Sequence, residues 1–359
     1  MSMETPALIV DTAQVRQNIQ RVMEHAAQCG IAVRPHTKTH KMIRMARMQM
    51  ELGACGITCA KLSEAEVMAD GGIRDIFLAY CVIGNSKINR LLALGRRIRI
   101  ISGTDSMEGA KALSDAAVIA GQTVELRVEI NTGGTRGGVS PENAPAFAQA
   151  VAALPNLRVT GIFTYKSSVL HGAATTDCKA AADEEDAIMA SVAKAIRDAG
   201  VPITDVSGGS TPTWQFVTEG TFTEIRPGTV IYGDANRVRL GVCTVQECAA
   251  YVLVTVVGTP TPERGVVDGG SKIFCGDSPN TEGYGMVIGR PDLVLTRLWE
   301  EHGILAARDG GPTNLRIGET LRIIPNHVCT SVNLVDYAWL LHEDGSYEKA
   351  RIDARGCSF

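Results

Sequence analysis

The sequence is short of several features that would narrow its function at once. Its longest strongly apolar stretch, Ala249 to Val257, is about half of what a membrane-spanning helix needs. Met1 to Pro6 lacks a basic segment followed by an apolar run, so no secretory signal is read and a soluble, cytoplasmic protein is expected. There is no basic excess. A formal net charge of -4 argues against a nucleic-acid polyanion as the main partner and leaves small molecules. No Gly-x-Gly-x-x-Gly turn marks a dinucleotide site, and no low-complexity run or flexible linker interrupts the chain. The ten cysteines are irregularly spaced and make no paired ladder, so they are expected to be mostly reduced and available as metal ligands.

What is present is an ordinary globular composition, 45% apolar and 21% charged over 359 residues, enough for one large domain and a smaller one. Ala7 to Val10 is a short apolar run, and Asp11 is placed to cap a helix marked by Val15, Ile19 and Val22. Strand-like segments then alternate with helical ones. Strands are predicted at 31–35, 56–60, 75–80, 98–102, 123–130, 157–165, 203–207 and 224–232. Helices are predicted between them at 42–52, 63–70, 86–97, 107–120, 141–153, 177–199 and 211–217. Eight βα units fit a closed (β/α)8 TIM-type barrel better than an open sheet, which is the structural alternative. After Arg239 the runs shorten, at 252–257, 265–267, 294–298, 320–324, 328–334 and 337–341, punctuated by Gly, Pro and Asp. The expected division is a barrel over 1–240 and a smaller, mainly antiparallel β domain over 241–359, with residues 1–12 joining the β domain.

In a barrel the chemistry collects where strands end, which places Lys38, Tyr165, Gly208 and Gly228 on one rim. Val33 to Lys41, Val-Arg-Pro-His-Thr-Lys-Thr-His-Lys, delivers a lysine into a polar loop. Crowding by Arg34, His36, His40 and Lys41 disfavours the ammonium form of Lys38 and frees an amine for attack on a carbonyl, which is Schiff-base chemistry. The same cluster also reads as a solvated basic loop or a phosphate patch.

Three further patterns carry chemistry. His327 and Cys329 lie two apart, and an extended segment would put imidazole and thiolate on one face, a pair suited to zinc. A buried histidine beside an inert cysteine is the plainer alternative. Ser207-Gly208-Gly209-Ser210-Thr211 before a helix pattern, with Pro227-Gly228-Thr229, offers amides, hydroxyls and a helix N-terminus to a phosphate, or is a plain βα turn. Arg136, within the glycine loop Asn131 to Gly138, suits an anionic oxygen, although a surface arginine is the commoner case.

With these pieces in order the chain resembles the D-serine dehydratase and D-threonine aldolase family, pyridoxal-phosphate enzymes with the alanine racemase type of barrel. The resemblance rests on Thr5-Pro6-Ala7-Leu8, Arg34 to Lys41, Asn131 to Gly138, Arg226-Pro227-Gly228-Thr229, Asp268-Gly269-Gly270, Glu300-Glu301-His302-Gly303 and Pro325 to Cys329. It implies that Lys38 forms the Schiff base with pyridoxal 5'-phosphate, that Arg136 contacts the ring's phenolic oxygen, and that Tyr165 lies beside the ring. Arg226 falls where alanine racemases place an arginine at the pyridine nitrogen. Gly209, Ser210, Thr211, Gly228 and Thr229 would cradle the phosphate, and His327 with Cys329 would hold Zn2+ or another divalent metal. A homodimer acting on a small D-amino acid is implied, with no nucleic-acid or membrane partner.

The family points to a lyase that removes water from a 3-hydroxy-D-amino acid to give an oxo acid and ammonia. Aldolase cleavage to glycine and an aldehyde is the alternative, and His-x-Cys resembles the dehydratases where aldolases tend to show His-x-Asp. A racemase ranks lower because Gly265 to Gly269 offers no tyrosine for a second acid, and a non-catalytic cofactor carrier would need no metal. Where the family often has Gly-His after the tyrosine, this chain has Lys166-Ser167-Ser168, with His171 farther on. Lys166 is accordingly expected to pair with a second substrate carboxylate, as in 3-hydroxy-D-aspartate, or else to face solvent.

Overall fold

The computed structural model describes residues 3–134, 136–277 and 283–359. By contacts the chain forms two compact units, one of Met1–Ile19, Thr39–Met42 and Thr229–Gly356, the other of Gln20–Lys38, Ile43–Gly228 and Cys357–Phe359.

The second unit is a parallel barrel. Its strands are Ala32–Val33, Ile57–Cys59, Asp75–Cys81, Arg99–Thr104, Val124–Glu129, Leu157–Phe163, Asp205–Gly208 and Glu224–Ile225. Each pairs in parallel with its neighbours in one eight-stranded sheet. The sheet closes where His36 bridges Thr58, supported by the Thr58 amide donating to the Pro35 carbonyl at 2.8 Å. Each predicted strand contains an observed one, but the segment 224–232 keeps only Glu224–Ile225, with Thr229–Ile231 forming a 3-10 turn. Most strands lead into a helix buried on its apolar face, as in Met107–Ala120, where the Ser106 hydroxyl caps the first turn and Gly121 ends the helix at φ 61°. The predicted helix at 211–217 does not form: only a three-residue 3-10 turn, Trp214–Phe216, follows the glycine turn. Pro212 and the Thr213 hydroxyl, which takes the Ser210 amide at 2.9 Å, hold that stretch in local turns instead.

The first unit is mainly antiparallel β. Its central strand Ala250–Thr261 pairs antiparallel with Ala7–Asp11, Arg264–Val267 and Thr320–Pro325. Ala7–Asp11 also lies parallel to Tyr337–Leu341. Asp11 does cap the following helix, its Oδ1 accepting from the amides of Ala13 and Gln14 at 3.0 Å. One predicted strand is corrected. Val328–Leu334 is a helix, because Val328, Ser331 and Val332 are the buried positions, a spacing of three and four rather than two. Its first amide is taken by Asp234, whose Oδ2 accepts from Val328 at 3.3 Å. No helix among the described residues is long and apolar enough to cross a membrane.

Candidate active site

Lys38 sits in the 3-10 turn Thr37–Thr39 at the end of the first barrel strand. That turn is anchored from below by the buried Glu64, which accepts from the Thr37 hydroxyl at 2.7 Å and from the Ala60 amide at 2.8 Å. Sequence reasoning missed Glu64, since nothing in its helical surroundings signals a loop anchor. Of the four cationic or basic neighbours expected around Lys38, His36 stays close, its Nδ1 accepting from the Lys38 amide at 3.4 Å, while two are engaged elsewhere. Arg34 points into the barrel to pair with Glu224 and Asp75, and the Lys41 amine donates to Asn333 at 2.8 Å. Ion pairs and a hydrogen bond offset the cost of burying these cations, and solvent repulsion alone could not.

The Lys38 amine lies 5.1 Å from the centre of the Tyr165 ring, and the Arg136 guanidinium lies 4.8 Å from the same ring. Tyr165 follows the strand Leu157–Phe163 and is 45% exposed, so an amine, a cation and an aromatic face meet at the strand ends. Arg136 also reaches Glu129 at 3.5 Å. Burial outweighs that arginine and holds the Glu129 carboxyl above its usual range. The glycine loop is shaped by the Asn131 side chain, which accepts from Gly133, and by Gly138 at φ 99°, where a Cβ would meet the Asn131 amide nitrogen at 2.8 Å. Thr135 of that loop lies outside the described residues.

The glycine turn after the strand Asp205–Gly208 is tight for a steric reason. At Gly208 a Cβ would come within 2.2 Å of Phe222, and Gly209 takes φ 63°. The Gly209 amide is turned toward buried Glu185 and the Ser210 amide to Thr213, so these two donors serve the protein. The donors gathered at the turn are the hydroxyls of Ser210 and Thr211 and the amide of Gly228, which donates to the Thr211 hydroxyl at 3.2 Å. With no helix longer than a 3-10 turn behind them, hydroxyls and amides replace the expected helix N-terminus.

Arg226 is buried in the barrel, donating to the Thr164 carbonyl at 2.5 Å and to the Ser207 hydroxyl, and flanked by Phe77 and Phe163 at 5.5 and 5.4 Å. Desolvation lowers its pKa to about 10. Lys166 does not face solvent. Its fully buried amine pairs with Glu184 and donates to the Thr132 carbonyl at 2.6 Å. Glu184 also takes His171 at 2.8 Å, from the small hairpin of Val169–Leu170 and Ala173–Ala174.

In the β unit His327 is the residue before the helix Val328–Leu334, with φ -133° and ψ 98°. His327 itself is extended, but the helix begins at the next residue, and imidazole and thiol still meet because the first helical turn brings Cys329 within hydrogen-bond reach of His327. Chiefly that contact raises His327 to about 9. Burial alone would push the Cys329 thiol up, but His327 outweighs it and the net shift is down. The Cys329 sulfur also lies 3.2 Å from the Thr39 hydroxyl and 3.6 Å from that of Thr229. Among the described residues no group of three or more His, Cys, Asp or Glu side chains is arranged to hold an ion.

A primary amine beside an aromatic ring and an arginine, with a hydroxyl-lined turn, fits the aldehyde, ring and phosphate of pyridoxal phosphate. A closed parallel barrel carrying these groups, in a chain that also builds a mainly antiparallel sheet, defines the alanine racemase-like class. The Alanine racemase, N-terminal domain model matches residues 10–236, and the Putative serine dehydratase domain model matches 249–341. The chain belongs to the D-serine dehydratase and D-threonine aldolase family of fold type III pyridoxal-phosphate enzymes, whose members here are lyases. It is 31% identical to a D-threonine aldolase of Arthrobacter sp, over 99% of this chain and 93% of that one. It is 32% identical to the D-threo-3-hydroxyaspartate dehydratase of Delftia sp. strain HT23, over 97% of each. The solved structure of the latter superposes with a TM-score of 0.90, covering 98% of this chain and 97% of that one. That dehydratase has also been solved as a histidine-to-alanine variant and, in metal-free form, as a cysteine-to-alanine variant two positions on.

Proposed function

We propose that this protein is a pyridoxal-phosphate- and divalent-metal-dependent lyase that removes water from a 3-hydroxy-D-amino acid, releasing an oxo acid and ammonia. The observation that carries the reading is the contact between Cys329 and Thr39, the residue peptide-bonded to Lys38. Pyridoxal phosphate, when bound, supplies an electron sink for breaking the Cα–H bond, and a divalent ion supplies a Lewis acid for the departing β-hydroxyl.

The chain's own residues do the rest. Lys38 would hold the cofactor, and its Nζ is the base that would take the Cα proton of a bound substrate. Arg136 and Tyr165 fix the ring's position beside that amine, and Ser210, Thr211, Gly228 and Thr229 hold the phosphate. His327 and Cys329 hold the ion, and an imidazole–thiolate pair selects zinc over harder cations. The metal-free form of the Delftia relative's cysteine-to-alanine variant, with its histidine variant altered two positions earlier, the spacing of His327 and Cys329, supports that ligand set. With Lys166 committed to Glu184, its amine gives no reason to prefer a second substrate carboxylate, and D-serine, D-threonine and 3-hydroxy-D-aspartate all stand as substrates.

The likeness to the Arthrobacter aldolase favours a second reading, retro-aldol cleavage to glycine and an aldehyde. One assay separates the two. The holoenzyme is incubated with D-serine, D-threonine and both 3-hydroxy-D-aspartates, and products are identified. Ammonia with an oxo acid, lost on chelation and restored by zinc, is the expected result; glycine with an aldehyde from every substrate would reject the dehydratase reading.

A further inference from the structure

We propose that Asp277 is the positioning residue for His327, holding the imidazole so that Nε2 is the nitrogen offered to a divalent ion. This rests on the metal reading of His327 and Cys329 above. Asp277 Oδ2 lies 2.9 Å from His327 Nδ1, the geometry of a hydrogen bond between ring N–H and carboxylate. An imidazole whose Nδ1 donates keeps its lone pair on Nε2, and the carboxylate partner both fixes the ring plane and strengthens the free nitrogen as a ligand.

The carboxylate is itself held in place. The Thr330 hydroxyl, one helical turn after His327, donates to the same Oδ2 at 3.2 Å. The Asn326 side chain, immediately before His327, donates to the Asp277 carbonyl at 3.2 Å, and the Asp277 amide donates to the Cys275 sulfur at 3.4 Å. Residues on both sides of His327 thus grip Asp277, so ring and carboxylate move together. Fifty positions separate the two in sequence, and no motif links them. The ring edge facing Asp277 is occupied by this bond, which leaves the carboxylate supporting the ligand instead of acting as one.

The test is a zinc titration of the metal-stripped full-length protein against a chromophoric chelator. Asp277→Ala is expected to weaken zinc binding about 10–100-fold, and Asp277→Asn, which keeps an acceptor without the charge, by less. Unfolding curves of the metal-free variants check that the fold is intact. Asp277→Ala binding zinc as tightly as wild type while His327→Ala has lost the site would overturn this inference and spare the metal reading. Should Asp277→Ala fail to fold, wild-type affinity in Asp277→Asn overturns it in the same way. Equal zinc affinity in wild type and His327→Ala would overturn the metal reading itself, and this inference with it.

Discussion

Glu224 and Glu185 are both buried carboxylates of the barrel unit, and burial alone would push both toward the protonated form. Glu224 sits in the barrel interior among Arg34, Arg127 and Ser207, accepting from Arg34 at 2.9 Å, from Arg127 at 2.5 Å and from the Ser207 hydroxyl at 2.7 Å. Against the burial cost, those partners depress its pKa to about 2. Glu185 faces the glycine turn with one long bond from Thr213 at 3.4 Å and the Gly209 amide, and its Oε1 has no partner among the described residues. Desolvation wins there, and its pKa rises to about 7. The lesson is one of place. Where strands converge on the interior, cations and donors close around a charge; at the glycine turn fewer partners reach the carboxylate, and burial prevails.

The largest expected effect tests the rim. Lys38→Ala should lower kcat/KM by about 10^4-fold and abolish the borohydride-sensitive yellow band while leaving the urea midpoint unchanged; residual yellow colour with normal turnover would show that another amine holds the cofactor. The interior should respond the other way round. Glu224→Ala leaves Arg127 and Arg34 buried without their shared anion, and should cost about 3–5 kcal/mol in equilibrium unfolding. A loss below about 1 kcal/mol would mean that Asp75 and Asp205 already satisfy those guanidiniums.

The two glutamates also predict opposite pH dependences. Glu224, with its folded pKa depressed to about 2, contributes stability that is present above about pH 4.5 and lost as pH falls toward 2. Glu185, raised to about 7, keeps its proton better in the folded state, so stability declines as pH rises from about 4.5 to about 7. Glu185→Gln should remove that decline, making the variant more stable than wild type by on the order of 3 kcal/mol at pH 8 and no different at pH 4. Parallel unfolding curves at the two pH values would reject the assignment. The smallest effect concerns Lys166, one of the cations that hold Glu185 down. Lys166→Met should destabilise the fold by about 2 kcal/mol, since Glu184 is partly exposed and can rehydrate, and should leave the ratio of turnover on D-serine and 3-hydroxy-D-aspartate unchanged.

The barrel was legible because each βα unit is written locally. Strand segments such as Asp75–Cys81 and helices such as Met107–Ala120 appear almost residue for residue where apolar periodicity places them. The β unit was less so. Strands Gly285–Val287, Gly303–Ala307 and Tyr347–Arg351 are only three to five residues long and carry too little pattern to read. Val328–Leu334 has apolar residues that satisfy either period, and Asp234, far away in sequence, settles it as a helix. Thr211–Val217 fails as a helix because Thr213 turns its hydroxyl back on Ser210.

By itself, then, the amino-acid order determined the succession of strands and helices and set Lys38, Arg136 and Tyr165 at strand ends, since periodicity and turn chemistry act over a few residues. Tertiary structure alone decided which charge meets which. Lys166 finds Glu184, Arg34 finds Glu224, and His327 finds Asp277. The physical reason is that the cost of burying a charge is set by partners tens to hundreds of residues away, and only the closed fold brings them within 3 Å or so of one another.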